Sequence, residues 1–305
     1  MTRPTRLRRS ELSTPGSSDK MMEKAAGSAA DLVFLDLEDA VAPSAKITSR
    51  SAIVAALNRL DWGSKTRAVR INGPDTVWCH DDLIDVVTGA GSAIDVIIVP
   101  KVKAARDVWF VDTLLSQLEA KLGLVPGRIG LELLIEETEA LARVEEIAGC
   151  SPRLEALILG VGDLSASQGI RSGHVGATVA HYPGDMWHYA RNRMIVAARA
   201  NRLDAIDGPN ADFRDLEGYR TEATWAATLG AVGKWAIHPS QIAVANEVFS
   251  PTAGEVTEAR RVIAAVRDAE AAGSGAASVD GRMIDAATAR IFQTVLDRAA
   301  AVGID

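Results

Sequence analysis

The sequence predicts an α/β fold, a (β/α)8 or TIM barrel with a C-terminal helical extension, and three observations carry that expectation. Short, mainly apolar runs recur at 32–35, 94–99, 129–135, 154–159, 203–206 and 232–237. Parallel strands buried on both faces read this way, whereas half-exposed strands alternate. Each run closes on a charged or hydrogen-bonding residue: Asp36, Lys101, Glu136, Asp163, Asp207 and His238 in turn. In a parallel barrel the C-terminal strand ends converge on one rim, so these groups become neighbours. Segments with helical spacing separate the runs, which is the alternation of a parallel sheet.

The first strand, 11–14, is weak. Pro15-Gly16 stops it, and Ser17 or Ser18 is placed to cap a helix reaching residue 30. Strand 31–37 then leads to helix 44–60, strand 67–71 to helix 81–88, strand 94–99 to helix 104–122, and strand 129–135 to helix 137–148. Strand 154–159 precedes a loop and helix 186–200, strand 203–206 precedes helix 215–229, and strand 232–237 precedes helix 241–248. With the weak first strand this makes eight βα units. The stretch 163–186 is too long for an ordinary βα loop, and such loops often form lids. Residues 1–250 read as the catalytic barrel. Residues 251–305 read as helix 255–272, a Gly/Ser/Ala linker to 277 and helix 283–300. This extension is expected to pack on the rim of its own or a neighbouring subunit.

At 305 residues and 48% hydrophobic, the chain suits such a barrel plus an appendage. A net charge of −7 and a pI of 5.4 leave no basic field, so nucleic acid and anionic membrane surfaces are not expected as partners. Cys79 and Cys150 have no partner at metal-ligand spacing and read as reduced thiols of a cytoplasmic protein. No apolar stretch approaches the roughly 18 residues of a membrane span. The Arg-rich opening lacks the apolar core of a secretory signal and reads as a short basic arm.

Glu136 and Asp163 end consecutive strands. Paired carboxylates suit a hard divalent ion that keeps several waters, such as Mg2+, and no His/Cys cluster argues for zinc. The competing reading is a pair of solvated helix caps. Leu35-Asp36-Leu37-Glu38-Asp39-Ala40 places three more carboxylates on the rim, and so many acids call for a cation. Glu38 and Asp39 are placed to hold metal-bound waters, while Asp36 reads as a cap. Arg70, facing inward, would clamp a carboxylate or stabilise an enolate oxygen; facing outward it would be a surface charge. The inward orientation is expected. Lys101 reads as a Schiff-base lysine or as a partner of the acidic rim, the second being expected. Gly160 and Gly162 would let backbone N–H groups approach a small carboxylate. His80, His174, His181 and His188 share no spacing and read as surface or packing residues. For His238 structural and catalytic roles both stand. Trp225 and Trp235 read as core.

Taken together, Thr14-Pro15-Gly16-Ser17, the 35–41 segment, Val69-Arg70-Ile71-Asn72, Pro100-Lys101, Ile135-Glu136, Gly162-Asp163 and Lys234-Trp235-Ala236-Ile237-His238-Pro239 form an ordered set. This set resembles the citrate lyase β-subunit-like family of HpcH/HpaI aldolases. Asp207-Gly208-Pro209 and the stretch 229–249 resemble malyl-CoA lyases within it. The resemblance implies Mg2+ at Glu136 and Asp163, with Mn2+ as the alternative ion. It implies reversible cleavage of a 3-hydroxyacyl-CoA such as malyl-CoA to an acyl-CoA and a 2-oxo acid such as glyoxylate. Arg70 would stabilise the thioester enolate, with Glu38 and Asp39 beside it, and Gly162 and Asp163 would contact substrate. Gly281-Arg282-Met283-Ile284-Asp285 matches the motif of a C-terminal aspartate lent by an adjacent subunit, which makes Asp285 the proton carrier of a homotrimer or homohexamer. Lys24 matches a CoA-contacting lysine. Ser13 and Ser18 stand where the family carries an aromatic residue and an arginine, leaving Lys20, Arg6, Arg8 or Arg9 to reach the CoA phosphates. A malyl-CoA thioesterase, a class II aldolase acting on free 2-oxo acids, and a non-catalytic scaffold subunit are the competing functions.

Overall fold

The computed structural model describes residues 3–171 and 184–304. The chain divides into two compact units, Met1–Asn246 and Glu247–Asp305. In the first, eight parallel strands close into a barrel in chain order, β1 pairing with β8. They are β1 (Ser10–Pro15), β2 (Leu32–Asp36), β3 (Thr66–Arg70), β4 (Val96–Val99), β5 (Gly130–Ile135), β6 (Leu154–Leu159), β7 (Asp204–Asp207) and β8 (Gly233–Ala236). The helices between them are α1 (Asp19–Ala26), α2 (Lys46–Arg59), α3 (Cys79–Ala90), α4 (Ala105–Lys121), α5 (Thr138–Ala142), α6 (Val144–Ala148), α7 (Val161–Gln168), α8 (His188–Ala200) and α9 (Leu216–Leu229). After β8 comes α10 (Ser240–Val248). Strands β2, β4, β5 and β6 are buried at every position, because helices cover one face and barrel-lining side chains the other. Ser18 caps α1, accepting from the Met21 amide.

The N-terminal end of the barrel is closed by ions. Arg8 donates to Glu132 at 2.8 Å and to Glu155 and Asp204, all buried or half-buried. Arg6 pairs with Glu155 and Asp95, and Arg9 forks onto Asp31. These arginines precede β1, at the end of the barrel opposite the C-terminal rim. They are therefore consumed as structural partners and are corrected from the CoA-phosphate role considered above.

Three local expectations change. The single helix over 137–148 is two short ones, because Arg143 (φ −119°, ψ 20°) leaves helical backbone. The region after β6 begins with a helix, α7, that takes in Asp163. Trp225 is 42% exposed on α9, whereas Trp235 is buried in the barrel interior. No helix among the described residues is long and apolar enough to cross a membrane.

The second unit contains α11 (Ala253–Ala271), β9 (Ala276–Val279), β10 (Arg282–Asp285) and α12 (Ala286–Ala301). Its small core is Val262, Val266 and Ile284, with Phe292 packed against them. The expected linker to 277 is instead the first strand of an antiparallel hairpin. Asp280 and Gly281 form its two-residue loop, both at positive φ (52° and 75°), the chemistry that a tight hairpin of this hand demands.

Candidate active site

The C-terminal rim gathers acids around two cations. Arg70, at the end of β3, is buried and donates in a fork to Asp36, from Nε at 2.7 Å and from Nη2 at 2.6 Å. Its Nη1 lies 3.0 Å from Glu38. A guanidinium has five N–H bonds. Two of them donate to Asp36, and the Nη1 end faces Glu38 as an ion pair. Burial alone would lower the arginine's pKa, but Asp36 and Glu38 more than compensate, so the positive charge is permanent. Asp36 also accepts the amides of Glu38 and Ala40, thereby shaping the turn that presents Glu38 and Asp39.

Lys101 follows Pro100 at the end of β4 with a left-handed backbone, φ 52°. Its amide donates to Glu136 Oε1 at 2.7 Å. Its ammonium lies 2.6 Å from Glu38, 3.3 Å from Asp163 and 3.6 Å from Asp39. Burial would lower this lysine's pKa, but the surrounding carboxylates raise it far above the ordinary value. With its ammonium engaged by three carboxylates, Lys101 takes the pairing role rather than that of a Schiff-base lysine.

Glu136, at the end of β5, is 2% exposed. Burial, then the charge of Asp163, push its carboxyl up to about 8. Asp163, in the first turn of α7, keeps a side chain 40% exposed. The turn that brings them together depends on Gly160: a Cβ there would stand 2.5 Å from the Glu136 Cβ and 2.7 Å from its Oε2. The neighbouring Gly162 is half-buried in the same turn. Among the described residues, no three His, Cys, Asp or Glu side chains converge as a closed metal cage. The donor set is thus two carboxylates, one dry and one wet, repelling each other beside an ammonium. Those residues fit Mg2+, which is commonly held by one or two carboxylates while keeping waters and substrate oxygens.

Further side chains brace this rim, and of these Lys46, Asp82 and Arg191 were not singled out in the sequence. Buried Lys46 donates to the Leu37 and Glu38 carbonyls and to Asn72 Oδ1, tying the turn after β2 to that after β3. Asn72 is held in turn by Asp82 through its amide and side chain. At β7, Asp207 accepts from Lys234 and Arg191. A lysine within a helix carries no sequence mark of such a role. His238 is exposed, hydrogen-bonded to Ser240 and stacked on Phe213 at 4.9 Å; His80 and His188 are exposed. His174 and His181 lie outside the described residues. Lys24 and Lys20 are exposed on α1. Asp285 caps α12, accepting from the amide and hydroxyl of Thr288, which hold its carboxyl below the usual range.

The chain was compared with known proteins. The family model for HpcH/HpaI aldolase/citrate lyase matches residues 9–239. An L-malyl-CoA/beta-methylmalyl-CoA lyase from Rhodobacter capsulatus is 44% identical over 305 residues, covering 97% of this chain and 96% of its own. A (3S)-malyl-CoA thioesterase from Cereibacter sphaeroides is 38% identical over 277 residues, covering 91% and 89%. The crystal structure of CitE from Mycobacterium tuberculosis, in complex with magnesium, acetoacetate and coenzyme A, has a TM-score of 0.76 at 29% identity and covers 96% and 98%. On a match that spans most of the barrel and relatives that span nearly the whole chain, this protein belongs to the HpcH/HpaI aldolase/citrate lyase family.

Proposed function

We propose that this protein is a Mg2+-dependent carbon–carbon lyase that reversibly cleaves L-malyl-CoA, or β-methylmalyl-CoA, to acetyl-CoA or propionyl-CoA and glyoxylate. The observation that carries the reading is the rim itself, where a dry and a wet carboxylate stand near a buried arginine that Asp36 and Glu38 hold in place. The sequence similarity to malyl-CoA/beta-methylmalyl-CoA lyases supports the choice of substrate.

Glu136 and Asp163 would hold the ion, with Mn2+ sharing its preference for oxygen ligands. Bound there, the ion supplies Lewis-acid polarisation of the 2-oxo acid's carbonyl and anchors its carboxylate. Glu38 and Asp39 flank that site and would orient water and substrate. In the cleavage direction the substrate hydroxyl gives up its proton to the carboxylates and water of the rim, its C–O bond becomes the carbonyl of glyoxylate, and the bond between that carbon and the carbon next to the thioester breaks. The electron pair of the broken bond passes into the thioester, giving an enolate whose oxygen meets the guanidinium of Arg70. A proton then returns to the acyl carbon. Asp285 from an adjacent subunit would carry that proton, so the working form would be a homotrimer or homohexamer with residues 251–305 completing a neighbour's site. Lys24 would meet the CoA moiety. The two cysteines are free, as a cytoplasmic setting would leave them.

The test mixes purified protein with Mg2+, acetyl-CoA and glyoxylate and follows products by mass spectrometry. Malyl-CoA is the expected product. Free CoA in its place would favour the thioesterase, a reading that the thioesterase relative also supports. With neither product, and no stabilisation by Mg2+ that Glu136→Ala removes, the scaffold alternative would stand. An Asp285→Asn arm, which keeps the helix cap, is expected to lose turnover while retaining the Mg2+ effect.

A further inference from the structure

Beneath Arg70, inside the barrel, lies a stack of groups that the mechanism above does not use. Phe34 on β2 and Trp235 on β8 are buried with ring centroids 4.4 Å apart. The Arg70 guanidinium carbon sits 5.4 Å from the Trp235 ring centre and 5.8 Å from that of Phe34. The indole N–H of Trp235 donates to Glu11 Oε2 at 2.8 Å. Glu11 on β1 is 0% exposed, and its other oxygen has no hydrogen-bond partner among the described residues.

Filling a barrel interior does not require this arrangement. A buried carboxyl with an unpaired oxygen is costly, and an apolar residue facing a phenylalanine would fill the same space without that cost. What the carboxyl adds is orientation: it accepts the one hydrogen bond that an indole can donate and so fixes which way the ring faces. The ring face in turn fixes the guanidinium. Asp36 holds Arg70 within the plane of their fork, but a planar fork resists displacement along its normal only weakly. Contact with two aromatic faces supplies the missing restraint, and it is worth more in a dry site than in water.

We propose that Glu11 and Trp235 are positioning residues for Arg70, with the Glu11 carboxyl orienting the indole and the indole, together with Phe34, setting the height of the guanidinium at the rim. The inference rests on the reading of Arg70 as the group that stabilises the enolate. The surroundings of Glu11 agree with it. Burial, then the charge of Glu132, push this carboxyl's pKa well above the usual range, which disfavours a negative charge beneath the active-site arginine.

The test is a set of variants assayed for kcat and KM with malyl-CoA and Mg2+. Glu11→Leu is expected to lower kcat about tenfold, as small displacements of a catalytic group do, with KM within about twofold of wild type. Glu11→Gln keeps an acceptor for the indole and should restore kcat to within about twofold. Trp235→Leu should match Glu11→Leu. In a Trp235→Phe background, which has no N–H to hold, Glu11→Leu should add no further loss. Unchanged kcat in Glu11→Leu, failure of Gln to rescue, or multiplying losses in the double variant would overturn the proposal. If Glu11→Leu does not fold, the comparison of Trp235→Phe with Trp235→Leu decides, since only the second removes the aromatic face. A readout apart from activity separates this inference from the reading of Arg70. In protein labelled with 15N-arginine, the Arg70 Nε–H resonance should move in Glu11→Leu and Trp235→Leu but not in Glu11→Gln. A resonance that stays put sinks the positioning role whatever the turnover, whereas wild-type kcat in Arg70→Lys would sink the catalytic role of Arg70 alone.

Discussion

Lys101 holds the rim together at the level of single residues. Its positive φ is uncommon for a side chain of this size, and such backbone persists only where surrounding contacts over-determine it, at a cost of about 1–3 kcal/mol. Here the contacts are the amide bond to Glu136 and the ammonium's approach to Glu38, Asp39 and Asp163. That ammonium offsets carboxylate charge that a divalent ion would otherwise offset. Lys101→Met should therefore bind Mg2+ about tenfold more tightly by calorimetry near pH 7, because a unit charge a few ångströms away is worth about 1–4 kcal/mol in a wet site. Weaker binding would mean that the lysine chiefly aligns Glu38 and Asp39. Glu136, Asp163 and Lys101 were visible in the sequence because each follows an apolar run, and Arg70 because it sits between β-branched residues on a short strand. Lys46 and Asp82 were hidden because their partners are carbonyls and side chains from other turns, and a linear pattern carries no trace of such contacts.

The turn from β6 into α7 shows how an element carries chemistry. Its first residue, Gly160, leaves room for Glu136, and the helix that follows lifts Asp163 beside it. Gly160→Ala would force a methyl group to within 2.7 Å of Glu136 Oε2. The expected result is a loss of about 1–3 kcal/mol in stability together with loss of the Mg2+-dependent rise in Tm, both read from thermal melts with and without the ion. A normal Mg2+ response in this variant would mean that Glu136 does not hold the ion. The same element shows where pattern reading fails. A long Gly-containing stretch reads as loop, yet Val161–Gln168 is helical because tertiary packing outweighs weak propensity. In residues 276–285 the Asp280-Gly281 loop was a legible hairpin signal, masked by the small residues before it.

Across the whole barrel, buried carboxylates are held by arginines and lysines at both ends. Burial would raise the Asp207 carboxyl, but the charges and hydrogen bonds of Lys234 and Arg191 outweigh it and hold the group below its usual 3.8. Asp36 and Asp95 behave likewise through Arg70 and Arg67. In each case the unfolded chain takes up the proton first as pH falls, so this contribution to stability is fully present above pH 3.8 and drains away below it. Tm should fall steeply below that value. Asp207→Asn should flatten the fall and cost about 3 kcal/mol at neutral pH, since it leaves Lys234 with only Glu222, at 3.1 Å, as a charge partner. An acid limb as steep in Asp207→Asn as in wild type would remove this network from the account.

By itself the sequence determined the barrel, its strand order and the roster of rim residues. Burial on both faces forces an apolar run, parallel order forces a helix between runs, and a run's end must turn polar where it meets water. Only the tertiary structure decided how those residues are used: that Arg70 forks onto Asp36 and pairs with Glu38, that Arg6, Arg8 and Arg9 close the far end instead of meeting a ligand, and that Glu11 faces Trp235 within the barrel. The reason is geometric. A strand's sequence fixes which residues alternate inward, while the partner that an inward group meets is fixed by strands distant in the chain.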